Sequence, residues 1–109
     1  MKLAIIGSRN LDIDIRDYIP REVSEIVSGG AKGIDTLARQ FAEQNGLTFI
    51  EFSPEYNLYG KRAPLVRNEK IADYADEAIA LWDGNSKGTA HTIKLFKEKR
   101  KRITVYIIK

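Results

Sequence analysis

The stretch "EIVSGGAKGIDTLARQFA", Glu25–Ala42, passes from one hydrophobic pattern to another across a glycine-rich segment. Its first residues belong to "REVSEIVS", which indicates a β-strand centred on 25–28. After the glycines, apolar residues recur at the spacing of one helix face: Ile34, Leu37, Ala38, Phe41 and Ala42. Gly46 provides a plausible stop for this helix. The stretch therefore predicts a strand, a tight loop and a helix in succession.

Four further apolar runs predict strands at Leu3–Ile6, Leu47–Phe52, Glu77–Trp82 and Ile103–Ile108. Helical patterns are expected over about 64–74 and 89–99, with a short helix in "DIDIRDYI". Residues 53–64 form the one long irregular segment of this interpretation, and such loops are often functional. Continuous apolar runs are typical of strands covered on both faces. The alternation predicts one three-layered α/β domain over 1–109, with a mostly parallel sheet of about five strands.

The composition narrows the classes of function. The chain has 109 residues, no cysteine, one histidine and a net charge of +3. The absence of cysteine excludes disulfides and thiolate chemistry and fits a reducing compartment, so a cytoplasmic location is expected. One histidine without cysteine does not make a zinc site, and no metal is predicted. No cofactor is predicted either. The apolar run near the N-terminus has only four residues, Leu3–Ile6, so no membrane association is expected.

Polar loops follow the predicted strands, and in a parallel sheet these loops meet at one edge. They are "GSRN" (Gly7–Asn10), "SGGAKGID" (Ser28–Asp35), the 53–64 segment with Tyr56, Tyr59, Lys61 and Arg62, and "DGNSKGT" (Asp83–Thr89). Glycines allow close approach of a ligand, and the amides that open a helix attract anions. The other interpretation of "SGGAKGID" is a connector in which Asp35 or Thr36 caps the helix. Two such loops at one edge favour an anion site.

Neither glycine-rich loop has a known nucleotide fingerprint. "GGAKGID" lacks the Walker spacing, and no G-x-G-x-x-G follows the first strand, so P-loop ATP hydrolysis is disfavoured. Trp82 closes a strand at the ligand edge and would either stack on a base or pack. His91 would serve as an acid or base, or occupy a surface or cap position. The run "KEKRKR", 97–102, indicates a solvated helix end first and a nucleic-acid patch second.

Four segments together resemble the SLOG superfamily: "IIGSRN", "IVSGGAKGIDTLA", "YGKRAPLVRNEKIADYAD" and "ALWDGNSKGTAHTI". This Rossmann-like group includes DNA-processing protein A (Smf) and the Lonely Guy phosphoribohydrolases, and the small stand-alone proteins typified by YspA are most similar. The resemblance covers nearly the whole chain and implies a Rossmann-like fold. "APLVRN" resembles a signature of the small proteins, which implies that Arg67 and Asn68 lie in the site.

The departures from these relatives bear on catalysis. In the Lonely Guy pattern, an arginine matched here by Arg67 acts with a glutamate, and that glutamate position falls on Thr92. Cleavage of an N-glycosidic bond needs a carboxylate, which Asp35 or Asp83 would have to supply from another loop. We therefore expect the chain to bind its ligand without catalysis. If it is an enzyme, a nucleotide-processing hydrolase is expected. Compared with DNA-processing protein A, the chain is a lone Rossmann-like unit with a small basic surplus.

The resulting prediction is a domain that binds a nucleotide or nucleotide-derived ligand through phosphate loops at the carboxyl ends of the strands. The two alternative functions are a nucleotide N-glycosidic hydrolase and a single-stranded DNA binder. A second copy of the chain, in a homodimer, is a further candidate partner. The predicted ligand-binding residues are Gly7, Ser8, Arg9, Ser28, Gly29, Gly30, Lys32, Gly33, Asp35, Arg67, Asn68, Trp82, Gly84, Ser86, Gly88 and Thr89.

Overall fold

A computed structural model of the chain describes residues 1–9, 11, 13–30 and 33–108. It contains a single sheet in the order β3-β2-β1-β4-β5, and each neighbouring pair of strands is parallel. The strands are β1 (Lys2–Gly7), β2 (Glu25–Ser28), β3 (Thr48–Glu51), β4 (Glu77–Trp82) and β5 (Ile103–Ile107). The predicted fold class, a Rossmann-like α/β domain with five strands, is confirmed.

The helices are α1 (Ile34–Gln44), α2 (Tyr56–Tyr59), α3 (Ala63–Tyr74) and α4 (Lys87–Glu98). The 53–64 segment, expected to be irregular, instead holds α2, the 3-10 turn Gly60–Arg62 and the start of α3. The helix α4 begins two residues earlier than predicted because Ser86 caps it, its Oγ accepting from the Thr89 amide. The described residues of "DIDIRDYI", 13–19, contain the 3-10 turn Arg16–Tyr18 in place of the expected short helix. Within the described part of the chain, no helix combines the length and apolar character that crossing a membrane requires.

Alternation along the strands divides the core between the two faces of the sheet. Leu3 and Ile5 of β1 join a cluster with Ile34, Ala38 and Ala42 of α1. On the other face, Ala4 of β1 packs with Ile71 and Ala72 of α3 and with Phe96 of α4. All of these side chains are essentially inaccessible to solvent. Helices thus cover both faces of the sheet, which explains why its strands are continuous apolar runs.

The strand order reverses between β1 and β4, where a doubly wound sheet opens its ligand crevice. The first residues after these strands are joined by hydrogen bonds. The amide of Ser8 donates to the Leu81 carbonyl oxygen at 3.1 Å, and the amide of Asp83 donates to Ser8 Oγ at 3.0 Å. Ser8 is 1% exposed. This predicted ligand residue therefore holds the two loops together at the crevice.

The basic run 97–102 lies at the opposite, amino edge of the sheet, where α4 ends and β5 begins. Arg100 takes φ 57° just beyond the helix, and the amides of Arg100 and Lys101 return to carbonyls of the last turn in a Schellman pattern. Lys101 Nζ donates to three carbonyl oxygens at the end of α3, those of Ala72, Asp73 and Ala75, at 2.7–2.9 Å. Lys101 therefore uses its charged side chain at the end of α3, and the backbone of Arg100 and Lys101 ends α4.

Candidate functional site

A cavity of about 610 Å³ opens at the carboxyl edge of the sheet. The ends of β1 and β2 contribute five of the predicted ligand residues to its lining, namely Gly7, Arg9, Ser28, Gly29 and Gly30. The helices α3 and α4, with the cap of α4, contribute Arg67, Asn68, Ser86, Gly88 and Thr89. Residues separated by up to 82 positions in the chain thus meet around one space, because parallel strands end at a common edge.

The other predicted ligand residues do not belong to this lining or lie outside the description. Ser8, Gly33, Asp35, Trp82 and Gly84 are described by the structure but do not line the cavity. Lys32 lies outside the described residues. Trp82 packs against a cluster formed by Ile6, Ala80 and Ile93, and its Nε1 donates to the Ser86 carbonyl oxygen at 3.1 Å. Of its two predicted roles, the geometry supports packing.

Two glycines are required by the close approach of other groups. A Cβ on Gly7 would lie 2.8 Å from the Leu81 carbonyl oxygen and 2.6 Å from Ile34 Cγ1, so the start of α1 can reach β1 only because that Cβ is absent. A Cβ on Gly29 would lie 3.0 Å from Cδ and 3.1 Å from Nη1 of Arg67. The second contact shows that the glycine loop leaves space for an arginine of α3.

Arg67 lies across the glycine loop with its guanidinium held on two sides. Its Nη1 donates to the Gly29 carbonyl oxygen, and its Nε donates to Asn68 Oδ1 at 2.8 Å. Burial lowers the pKa of Arg67 below its ordinary value, although a guanidinium keeps its charge at neutral pH. A partly buried cation with further N–H donors at a cavity wall is suited to an anion.

The Asn68 side chain continues this network to α4. It is 5% exposed, and its Nδ2 lies 3.1 Å from Nδ1 of His91. His91 is partly buried and does not line the cavity. The sequence suggested an acid or base, or a surface or cap position, but the structure places the imidazole against a buried amide.

The loop before α4 is held by its own side chains. Asp83 Oδ1 accepts from the amides of Asn85 and Ser86, both at 2.8 Å. These two hydrogen bonds lower the pKa of Asp83. The Asp83 carboxylate thus stabilises the turn that precedes α4. This turn leads into the first turn of α4, where Gly88 lines the cavity.

Asp35 belongs to a cluster behind the glycine loop that also contains Glu51 and Arg39. Arg39 Nη2 lies 2.9 Å from Glu51 Oε1 and 3.5 Å from Asp35 Oδ2. Burial raises the pKa of Asp35, and the neighbouring Glu51 raises it further. Asp35 Oδ1 is the buried side-chain polar atom without a hydrogen-bond partner in the part of the chain that the structure describes. Glu51 and Arg39 were missed from the sequence because nothing in it pairs the end of β3 with α1.

Sequence reasoning also missed the apolar wall of the cavity. Ile5, Ile6, Ile34 and Ile71 line it, as does Thr92, whose Oγ1 donates to the Gly88 carbonyl oxygen at 3.1 Å. Pro54 lies three residues beyond the end of β3, within the 53–64 segment that the rule of ligand binding beyond strand ends had placed at this edge. The isoleucines gave no such signal, since they are indistinguishable in sequence from other core residues.

The electrostatic character of the cavity is positive. Among the residues that the structure describes, its lining includes two arginines, Arg9 and Arg67, and no carboxylate. The first turns of three helices of eleven or twelve residues also reach it, through Ile34 of α1, Pro64 of α3 and Gly88 of α4. Each helix N-terminus adds a partial positive charge. The described lining is able to hold an anionic group and contains neither a carboxylate nor a histidine.

Comparison with known proteins gives one match. A family model described as "YspA, cpYpsA-related SLOG family" matches residues 2–59, more than half of the 109-residue chain. The match includes both loops that follow β1 and β2. No significant match is found among curated proteins or among solved structures. The resemblance noted in the sequence is thereby confirmed.

Proposed function

Since the chain belongs to the YspA, cpYpsA-related SLOG family, we propose that it binds a nucleotide or nucleotide-derived ligand in this cavity. The ligand phosphate lies between the glycine loop after β2 and the first turn of α4. Arg67 provides the charge, and Arg9 adds to it from the loop after β1. The observation that carries the proposal is a lining with two arginines and no carboxylate among the described residues.

The size and walls of the cavity support a ligand of this class. A volume of about 610 Å³ lies within the range of about 300–1,000 Å³ that is usual for small-molecule sites. Isoleucines give it an apolar floor, and Pro54 and Tyr56 form one side. Tyr56 is 60% exposed, so its ring is available for a base to stack on. Since Trp82 is packed, Tyr56 is the better candidate for this contact.

We propose binding without cleavage. The Thr92 hydroxyl occupies the wall where the Lonely Guy pattern has a glutamate, and it already donates to the Gly88 carbonyl oxygen. Of the two carboxylates considered in its place, Asp83 accepts two loop amides and Asp35 faces Arg39. Neither belongs to the cavity lining. A bound nucleotide is therefore expected to remain intact.

A thermal-shift screen with mononucleotides and dinucleotides tests both parts of the proposal. A ligand that binds only the folded state raises the melting temperature, and chromatography of each positive mixture reports release of base or ribose phosphate. Arg67→Ala should weaken binding about tenfold to hundredfold, as expected for loss of a charged hydrogen-bonding partner. Arg62→Ala is the matched control, because it also removes one positive charge but lies outside the lining. Equal affinities in the two variants would remove Arg67 from the site.

A second candidate function, binding of single-stranded nucleic acid, rests on the 56–62 segment. Tyr56 and Tyr59 are 60% and 41% exposed there, and Lys61 and Arg62 are exposed beside them. Aromatic rings next to cations are the usual elements of a single-strand surface. The Lys61→Ala/Arg62→Ala double variant should then lower oligonucleotide affinity and reduce its salt dependence. Unchanged oligonucleotide binding in that variant would argue against the segment.

Two further predictions accompany this function. A cytoplasmic location follows from the absence of cysteine and awaits a localisation experiment. A homodimer also stays a prediction, which light scattering over a range of protein concentrations would test.

A further inference from the structure

The hydrogen bonds around Asn68 are consistent with only one orientation of its amide. Arg67 Nε is solely a donor, so the atom of Asn68 that faces it at 2.8 Å must be the carbonyl oxygen Oδ1. The amide nitrogen Nδ2 then faces Nδ1 of His91 at 3.1 Å. Because Nδ2 carries only donors, Nδ1 of His91 must accept. His91 is therefore neutral in this arrangement and carries its proton on Nε2.

Protonation of His91 is incompatible with this arrangement. A proton on Nδ1 would set one N–H group against another at 3.1 Å. Rotation of the Asn68 amide would relieve that clash, but it would turn the NH₂ group toward Arg67 Nε, which also only donates. Asn68 is 5% exposed, so water has little access to compensate. The arginine thus loses one of its two described anchors when the histidine gains a proton.

From this we infer that His91 is a positioning residue for the anion site. Through Asn68, neutral His91 helps to hold the Arg67 guanidinium across the glycine loop, and protonation of His91 removes one of the two described anchors of that group. The role belongs to His91 although it does not line the cavity. The effect of His91 on ligand affinity rests on the proposed function, whereas its effect on Arg67 does not.

Asn68 is the polar side chain that the structure describes in contact with His91. The strands beneath α4 present apolar side chains, among them Ile6 and Ala80. From α3, the charged group of this network is Arg67, which reaches Asn68. On α4 itself, Lys87 and Lys94 stand one turn before and one turn after His91. All three of these groups are cations that carry only hydrogen-bond donors, so none of them can accept a hydrogen bond from a protonated His91.

The first test measures solvent exchange of the Arg67 Nε proton by NMR in the free protein, relative to the exposed Arg21. Its signal is assigned by its loss in Arg67→Lys. His91→Asn places an oxygen acceptor near the position of Nδ1 but does not titrate, and His91→Leu removes the acceptor. We expect wild-type protection at pH 8 to fall about tenfold near pH 5, the equivalent of one hydrogen bond. His91→Asn should keep protection at both pH values, and His91→Leu should lack it at both. Wild-type protection in His91→Leu, or the same loss in His91→Asn as in wild type, would overturn the inference.

The second test follows sulfate binding by chemical-shift titration, since the charge of sulfate is constant over this pH range. Wild-type affinity should fall about tenfold toward acid pH, and His91→Asn should show no such change. If sulfate and nucleotides bind nowhere while the exchange results hold, the proposed function fails and the positioning role stands. If sulfate binds with the same pH dependence in wild type and His91→Asn, His91 does not control the anion site.

Discussion

Replacement of Gly29 by alanine tests whether Arg67 lies across the glycine loop. The added Cβ would lie 3.0–3.1 Å from two atoms of Arg67 and 3.1 Å from Ile71 Cδ1. These neighbours must move by a few tenths of an ångström, and the hydrogen bond from Arg67 to the Gly29 carbonyl oxygen is strained or broken. We expect the free energy of unfolding to fall by about 1–3 kcal/mol, from overpacking and loss of a bond to a charged group.

A double-mutant cycle with Arg67→Ala separates the arginine from the other contact. Two of the three close contacts involve Arg67, so Gly29→Ala should cost less when Arg67 is already alanine. The expected coupling is about 0.5–3 kcal/mol, measured by urea denaturation at pH 8 without ligand. Gly88→Ala in both backgrounds is the control, because an added Cβ there meets no atom within 4 Å. Additivity of Gly29→Ala and Arg67→Ala within about 0.5 kcal/mol would refute the described packing of Arg67.

Three further predictions concern stability. Arg100→Gly should stabilise the protein by about 1 kcal/mol in urea denaturation, since Arg100 has φ 57°, a backbone conformation that favours glycine. Arg100→Ala is the control, because alanine keeps the steric penalty of that conformation. A similar gain in Arg100→Ala would contradict this reason. Lys101→Met should cost about 1–3 kcal/mol, because three carbonyl oxygens lose their ammonium donor. The exposed Arg102→Met is its control, and equal losses would show that charge alone matters. Asp35→Asn should raise the melting temperature at pH 7 and leave it nearly unchanged below about pH 4. The pKa of Asp35 is raised in the folded state, so stability falls as pH rises through the unfolded value of about 3.9. Asp83→Asn should lower the melting temperature at pH 7, because the pKa of Asp83 is lowered in the folded state. A fall in Asp35→Asn would contradict the first assignment, and a rise in Asp83→Asn would contradict the second.

The core strands were predictable because their signals are local. Buried runs such as Leu3–Ile6 and Glu77–Trp82 coincide with β1 and β4 to within one residue. The sheet edge that gathers the loops also followed, since parallel strands end together. The single-turn helix α2 was missed because four residues with exposed Tyr56 and Leu58 do not form an amphipathic pattern. The early start of α4 had a signal, the capping residue Ser86, that the prediction did not use.

The contacts within the site were less predictable, because they depend on how α3 and α4 pack. Asn68 and His91 are 23 positions apart on helices whose relative register is set by core residues such as Ile71 and Phe96. The resemblance to SLOG proteins brought Arg67 and Asn68 to the site but said nothing of His91. Ser8 was expected to contact ligand because it follows the first strand at the ligand edge. The structure adds that Ser8 is buried and that its Oγ accepts from the Asp83 amide, which links β1 to the loop after β4.

The modest charge surplus of the chain is divided unequally between the two edges of the sheet. At the amino edge, Lys101 is committed to carbonyls of α3 and Lys99 pairs with Asp73 at 2.5 Å. At the carboxyl edge, Arg67 is anchored to a carbonyl and an amide, neither of which neutralises its charge. Lys99 loses much of its attraction for an anion to the Asp73 carboxylate. Lys101 uses all three of its ammonium donors on carbonyl oxygens, whereas Arg67 uses two of its five N–H donors in the described hydrogen bonds. Neutralising the 97–102 run should therefore affect stability through the ends of α3 and α4, while neutralising Arg67 should affect ligand affinity. Loss of nucleotide affinity on neutralising 97–102 in a folded variant would contradict this division.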